Sequence, residues 1–125
     1  MKVICVANQK GGVAKTATTA ILASVLTRKG NRVLTIDMDP QGSLSKQVGA
    51  EAGGHEVYDV LKGNISARDA IQPMKQFHII PTSIVLAGLE AELMTDMGKY
   101  FKLKDAIDKA QLSDCLLYTS DAADE

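Results

Sequence analysis

The sequence predicts an α/β fold in which a mostly parallel sheet is flanked by helices. An apolar run at residues 3–7 is followed by a helix-forming stretch at 15–29, and a second short strand is predicted at 32–36. A helical crossover between parallel strands is right-handed in nearly all proteins. We therefore expect residues 1–36 to form one right-handed β-α-β unit, with the carboxyl ends of both strands at the same end of the sheet.

The elements of this unit follow from local sequence signals. The predicted helix carries Ile21, Leu22, Val25 and Leu26 on one stripe, which we expect to pack on the sheet, and Gly30 ends it. Residues 43–54 contain three glycines and are predicted to form a mobile surface loop.

Alternating elements continue after that loop. Residues 57–62 are predicted to be a short helix ended by Gly63, and Ser66 is predicted to cap another helix, with Asp69 three positions later. The predicted third strand covers 77–80.

Two amphipathic helices should close the globular part of the chain. One is predicted over 84–97, and its apolar face comprises Leu86, Leu89, Leu93 and Met97. We expect Gly98 to break it and a second helix to resume over 101–112, with Leu103, Ile107 and Ala110 in register.

Residues 10–16, Lys-Gly-Gly-Val-Ala-Lys-Thr, lie between the first strand and the first helix and are typical of a phosphate-binding loop. Gly11 and Gly12 let the backbone approach an anion closely, and the start of the helix adds its positive end. Lys15 supplies an ammonium for the β- and γ-phosphates, and Thr16 a hydroxyl for Mg²⁺. Alone, this match is partial, because Gln9 and Ala14 stand where the general pattern has glycine.

Two carboxylates follow the second strand, in the segment Asp37-Met38-Asp39-Pro40-Gln41-Gly42. In open α/β sheets, ligands bind at the carboxyl ends of the strands. Asp37 and Asp39 should therefore face the same crevice as the phosphate loop, where one could support a metal and the other could orient water. By themselves they would also suit ordinary turn chemistry.

Together, residues 8–16 and 37–42 resemble the ParA/Soj family of chromosome- and plasmid-partitioning ATPases, relatives of MinD and of the nitrogenase iron protein. The resemblance covers nearly all of residues 1–114 and implies a P-loop NTPase fold, of which this chain holds the N-terminal half. It implies ATP and Mg²⁺ as cofactors and an ATP-dependent homodimer in which Lys10 reaches the partner's nucleotide.

The resemblance also assigns roles to single residues. Lys10, Lys15 and Asp39 would be catalytic, with Asp39 positioning the attacking water, and Thr16 and Asp37 would serve the metal. The nucleotide would contact seven consecutive residues: Gly11, Gly12, Val13, Ala14, Lys15, Thr16 and Ala17. The family usually has Gly at position 14 and Thr at position 17, so Ala14 could slow turnover if it needs a positive φ.

Partners and location are implied in the same way. The full-length protein would be cytoplasmic and nucleoid-associated, would bind DNA non-specifically through its C-terminal half, and would work with a ParB-like partner and without a membrane. Two other functions stay open: an ATP-gated regulator with little turnover, and a MinD-like positioning module.

Residues 115–125 look like the translation of an adapter used in transposase-based sequencing libraries, so we expect them not to be native. The family's next strand, which ends in Asp before Pro-Pro, is not encoded here. Without that strand, we expect the 125-residue chain to leave an apolar sheet edge open, to be poorly soluble, to bind ATP weakly and to lack ATPase activity.

Composition adds little. Fourteen basic and fifteen acidic residues give a net charge of −1, which predicts no general attraction to nucleic acid. His55 and His78 lack companions at metal-ligand spacing. A modest basic cluster is expected to be a solvated helix face rather than a DNA-binding patch: Lys99, Lys102, Lys104 and Lys109.

Overall fold

The computed structural model describes residues 2–8, 13–93, 96–110 and 116–122, with side-chain environments for residue 4 and for residues 16–89 and 101–110. The strands are β1 (Lys2–Asn8), β2 (Val33–Asp37), β3 (Gln72–Pro73), β4 (His78–Ile80) and β5 (Leu116–Ala122). The helices are α1 (Val13–Arg28), α2 (Ser43–Val48), α3 (Val57–Lys62), α4 (Ala67–Ala70), α5 (Leu86–Leu93) and α6 (Asp96–Ala110).

The five described strands form one sheet in the order β1-β5-β2-β4-β3. Strands β1 and β2 each pair in parallel with β5, and β2 pairs in parallel with β4. Only the short β3 runs antiparallel to its neighbour β4. The predicted α/β class with a mostly parallel sheet is confirmed, although β3 was not predicted.

The sheet separates two hydrophobic clusters, which places helices on both of its faces. Leu34 and Ile36 of β2 pack into the cluster built with α3, α4, α5 and α6. Val33 packs with Ala23 of α1 and Leu44 of α2 in the other cluster. Because side chains of a strand alternate between faces, Asp37 lies on the same face as Val33, towards α1 and α2.

Helix α1 turns a different side to the sheet from the one predicted. Ile21, Leu22 and Val25 are 62%, 39% and 36% exposed, and only Leu26 of the predicted stripe packs at the edge of a core cluster. Small residues fill the buried side of the helix: Thr16, Thr19, Ala23 and Ser24. The prediction was wrong because it assumed that the bulkiest side chains face the sheet, whereas small side chains here let the helix lie close to it.

The predicted mobile loop at 43–54 is also partly wrong, because its first half is helix α2. Gly49 ends α2 at φ 77°, and its N–H donates to the carbonyl oxygens of Ser45 and Lys46. Leu44 and Ser45 are buried. Gly49, the first glycine of the predicted loop, thus ends a helix. The prediction had taken it as a sign of mobility.

Predictions for the later helices were mixed. Helix α3 has the predicted bounds and ends at Gly63, and the Ser66 side chain accepts a hydrogen bond from the Asp69 N–H as the cap of α4. Gly98, by contrast, lies inside α6, so it does not break the helix as predicted. The buried positions of these two helices agree with the predicted face where they are described: Leu86, Leu89, Leu103, Ile107 and Ala110.

Strand β5 corrects the expectation of an open sheet edge beside β1. It lies between β1 and β2, where Ser120 is level with Val6 on one side and with Asp37 on the other. The chain segment at 116–122 therefore fills the place in the sheet that was expected to be empty.

Candidate functional site

The two predicted motifs meet at one end of the sheet. Strand β1 ends at Asn8, β2 ends at Asp37, and both run parallel to β5. Parallel strands have their carboxyl ends at the same edge. Helix α1 begins at Val13, five positions after β1 ends at Asn8, so its N-terminus lies at this edge too.

The start of α1 suits an anion. Its first turn contains no acidic residue, so no carboxylate of that turn neutralises the positive end of the helix dipole. Thr16 is only 6% exposed and Ala17 is half-buried. Val13, Ala14 and Lys15 belong to this turn, but their side chains are outside the described residues, as are Lys10, Gly11 and Gly12.

Asp37 is fully buried, and three hydrogen bonds from described residues hold its carboxylate. The Asp39 backbone N–H donates to Oδ1 over 3.2 Å. The Ser45 backbone N–H and hydroxyl both donate to Oδ2, over 2.9 and 2.7 Å. A buried carboxylate without such donors would be costly, so this network allows Asp37 to remain charged in the interior.

The electrostatic balance at Asp37 has a definite direction. Burial raises the pKa of Asp37 above its ordinary value of 3.8, and the nearby Asp39 charge adds to this rise. The hydrogen bonds from Ser45 and from the Asp39 N–H oppose it, because they stabilise the charged form. Asp37 is thus a buried carboxylate that binds a proton more readily than an exposed aspartate does.

Asp39 is half-buried and starts a tight turn. Its Oδ1 accepts a 2.9 Å hydrogen bond from the Gln41 N–H, and its carbonyl oxygen accepts one from the Gly42 N–H over 2.8 Å. Buried Met38 separates the two aspartates. The two carboxylates therefore occupy different environments, one inside the protein and one near the surface.

Residues 81–83 connect the surroundings of Asp37 with helix α3. The Thr82 N–H donates to the Ser45 hydroxyl over 3.0 Å, and the Ser83 hydroxyl donates to the Glu56 carboxylate, with its shorter contact 2.8 Å. The Val57 N–H donates to the Pro81 carbonyl oxygen over 2.9 Å. The 81–83 segment is thus bonded to α2 on one side and to the start of α3 on the other.

The described residues are compatible with Mg²⁺. Thr16 and Asp37 offer a hydroxyl and a carboxylate, which are the hard oxygen donors this ion prefers, and both lie on the α1 side of the sheet. The three described hydrogen bonds to the Asp37 carboxylate leave some of its lone pairs available. The described residues contain no group of three or more His, Cys, Asp or Glu placed to hold a metal.

The other described candidate residues lie at the protein surface. His55 and His78 are both exposed. In the basic cluster, Lys104 pairs with Asp108 and Lys109 pairs with Asp105, each over 3.0 Å, which indicates a solvated helix face. The described helices include none with the length and apolar character that a membrane span requires.

Two residues of the site were missed by the sequence analysis, Ser45 and Thr82. Ser45 is eight positions after Asp37, and Thr82 is 37 positions after Ser45. The weak signal was that Ser45 lies a few residues beyond the aspartate pair. Because residues 43–54 were predicted to be a mobile loop, Ser45 was not among the predicted site residues.

The fold and the site together define an α/β protein of the P-loop NTPase class. The chain belongs to the AAA domain family, whose model matches residues 1–115. The resemblance to the ParA/Soj group is confirmed by two curated relatives. One is the sporulation initiation inhibitor protein Soj of Bacillus subtilis, 39% identical over 111 residues; the other is the chromosome partitioning protein ParA of Caulobacter vibrioides, 38% identical over 112 residues.

These alignments cover most of this chain but less than half of each relative. They include 86% of the chain in both cases, and 44% of Soj and 42% of ParA. The chain therefore spans less than half the length of these two relatives.

Solved structures agree with the fold. Cobyrinic acid a,c-diamide synthase from Mycobacterium smegmatis, with bound ATP analog and magnesium, has a TM-score of 0.84 and 37% identity, covering 95% of this chain and 50% of that one. A plasmid partition protein from Borrelia burgdorferi bound to AMPPNP has a TM-score of 0.80 and 27% identity, covering 98% and 53%.

Proposed function

We propose that this chain is the nucleotide-binding half of an Mg²⁺-dependent ATPase that partitions chromosomes or plasmids. The observation that carries the proposal is the placement of the acid-free N-terminus of α1 and the buried carboxylate of Asp37 on one face and at one end of the sheet. A positive helix end binds phosphate, and a carboxylate beside it can help to hold the cation that accompanies phosphate.

Each residue has a distinct part in this proposal. Lys15 and the backbone of residues 11–17 bind the phosphates, while Thr16 and Asp37 hold the metal or its water shell. Asp39, at the surface end of the segment, orients the attacking water. Bound Mg²⁺ would neutralise part of the phosphate charge. Positioning and charge stabilisation account for most of the catalysis in such reactions.

Lys10 extends the proposal to a homodimer. In the full-length protein, ATP would bring two copies together, and Lys10 of each would reach the other's nucleotide. Non-specific DNA would bind to the C-terminal half, outside this chain, and a ParB-like protein would be a further partner of this cytoplasmic, nucleoid-associated protein. Support comes from the relative in Caulobacter vibrioides, which is named a chromosome partitioning protein.

The experiment that tests the enzymatic proposal compares two lysine substitutions in the full-length protein. Lys15→Ala should abolish ATP binding or hydrolysis, because it removes the phosphate-binding ammonium. Lys29→Ala is the matched control, since exposed Lys29 follows the other end of α1. Hydrolysis by the Lys15 variant at the wild-type rate would overturn the proposal.

Lys10→Ala tests the dimer separately. Monomer binding of ATP should persist, while ATP-dependent dimerisation, followed by light scattering, and dimer-dependent hydrolysis should be lost. Normal hydrolysis by this variant would contradict the homodimer arrangement.

A second function is favoured by one observation, Ala14 in place of the usual glycine. If this residue slows hydrolysis, the protein would act as an ATP-gated regulator or as a MinD-like positioning module, and occupancy would carry the signal. Measuring ATP affinity and single-turnover hydrolysis together separates the cases. Tight binding with negligible turnover, even with DNA and partner protein present, favours the regulator.

We also propose that residues 115–125 are adapter read-through and that native sequence diverges after residue 114, with the 125-residue chain itself inactive. The family match, which covers residues 1–115, supports this boundary. Strand β5 is compatible with it, because its apolar start, Leu116 and Leu117, suits a strand with a neighbour on both sides in the sheet. Amplifying the source DNA across the codon for Asp114 tests it: a frame that continues into a strand ending in Asp-Pro-Pro supports the proposal, and genomic coding of 115–125 refutes it.

A further inference from the structure

Ser45 is the point at which three separate pieces of the chain meet around Asp37. It lies in α2, its hydroxyl donates to Asp37 Oδ2 over 2.7 Å, and the same hydroxyl accepts the Thr82 N–H over 3.0 Å. Its backbone N–H donates to the same Asp37 oxygen over 2.9 Å. At 3% exposure, Ser45 makes these contacts away from water.

The direction of the hydroxyl bond is fixed by its neighbours. A serine hydroxyl has one proton to donate and lone pairs that accept. The Thr82 backbone N–H can only donate, so the hydroxyl must accept there. An ionised carboxylate can only accept, so the hydroxyl proton points to Asp37. The Thr82 N–H thereby orients Ser45, and Ser45 orients Asp37.

We propose that Ser45 is a positioning residue that holds the Asp37 carboxylate in the orientation needed for Mg²⁺-dependent nucleotide binding. This inference rests on the function proposed above and adds to it a residue outside both sequence motifs. Mutation of a group that hydrogen-bonds to a metal ligand typically lowers metal affinity or activity roughly 10- to 100-fold. Ser45 acts through Asp37 and makes no contact with the nucleotide in this proposal.

The test uses three substitutions in the full-length protein. Ser45→Ala removes the hydroxyl, Ser45→Thr keeps it, and Ser43→Ala is the control, because Ser43 is exposed in the same helix. ATP affinity is measured by titration calorimetry with Mg²⁺ and again with EDTA. The ratio of the two dissociation constants is the readout, because general damage to the fold would change both.

We expect Ser45→Ala to reduce the Mg²⁺-dependent gain in affinity about tenfold and to leave the affinity in EDTA unchanged. Ser45→Thr should restore the gain, and Ser43→Ala should not alter it. In an Asp37→Asn background, Ser45→Ala should have no further effect on the ratio, because Ser45 acts through the carboxylate. If Ser45→Ala does not fold, Ser45→Cys, a weak donor of similar shape, should show the same loss.

The outcomes separate this inference from the proposed function. Wild-type protein without Mg²⁺-dependent ATP binding overturns the proposed function and this inference together. If the wild type shows Mg²⁺-dependent binding and Ser45→Ala leaves the ratio of dissociation constants unchanged, this inference alone is overturned. If Asp37→Asn and the double variant Asp37→Asn/Ser45→Ala lose the Mg²⁺-dependent gain equally, the inference is supported.

Discussion

Gly42 lies directly against the backbone of Thr82. A Cβ atom at position 42 would be 3.1 Å from the Thr82 carbonyl oxygen, and Gly42 has a φ of 66°. The close approach brings the turn after Asp39 against the segment whose N–H orients Ser45. Glycine is therefore required at this position both by the backbone conformation and by the neighbouring carbonyl.

Gly42→Ala should destabilise the protein more than Gly49→Ala does. Both glycines have positive φ, at 66° and 77°, but nothing lies within 4 Å of a Cβ at Gly49. Each substitution should cost roughly 1–2 kcal/mol for the backbone conformation, and Gly42→Ala about 1 kcal/mol more for overpacking. Urea denaturation measures the difference, and equal free energies of unfolding would contradict the contact with Thr82.

The raised pKa of Asp37 predicts a pH dependence of stability. The unfolded chain loses the Asp37 proton near pH 3.8, whereas the folded protein keeps it to higher pH. The folded state thus binds more protons in this window, so the free energy of unfolding should fall as the pH rises from 3.8 through the folded pKa. Stability from this source is fully present only below pH 3.8.

Asp37→Asn provides the reference for that measurement, because it removes the titrating group and leaves the others. The difference in unfolding free energy between wild type and Asp37→Asn should shift against the wild type as pH rises across the window. A difference that stays constant from pH 3 to 8 would show that burial does not raise this pKa.

The exposed apolar residues of α1 should be dispensable for stability. Ile21→Gln and Val25→Gln should change the free energy of unfolding by no more than about 0.5 kcal/mol, as surface substitutions usually do. Ala23→Gln is the contrast, because Ala23 is fully buried and a larger polar side chain there should cost about 2 kcal/mol or more. Thermal denaturation of the three variants checks this; a large loss from Ile21→Gln would mean that the predicted sheet-facing stripe was right after all.

Removing residues 115–125 should disrupt the sheet. Among the described strands, β1 pairs with β5 alone, so the deletion would leave β1 without hydrogen-bond partners and expose one edge of β2. We expect loss of cooperative unfolding and increased aggregation, seen by circular dichroism and light scattering. Deletion of residues 123–125, which follow β5, is the control and should have little effect.

The features that the sequence predicted correctly are those set by residues close to one another in the chain. The bounds of α3 and the cap of α4 depend on Gly63 and Ser66, which act on their immediate neighbours. The placement of Asp37 at the same sheet edge as the phosphate loop followed from the strand-helix-strand order alone.

The features that the sequence did not predict depend on contacts between residues that are far apart in the chain. The orientation of α1 is set by how closely the helix approaches the sheet, which the apolar stripe of Ile21 and Val25 did not indicate. Likewise, Thr82 joins the site through a hydrogen bond to Ser45 across 37 positions. Neither contact leaves a periodic or compositional signal that a single sequence could reveal.

The place of β5 in the sheet has a consequence for the order in which the 125-residue chain refolds. Lys2 pairs with Leu116 and Asn8 with Ala122, so nearly the whole described chain separates β1 from its neighbour. Pairings between such distant segments form slowly, and chains waiting for them expose unpaired strands to aggregation. Of the described strands of this chain, β1 comes first in sequence and is among the last to find a hydrogen-bonding partner during refolding.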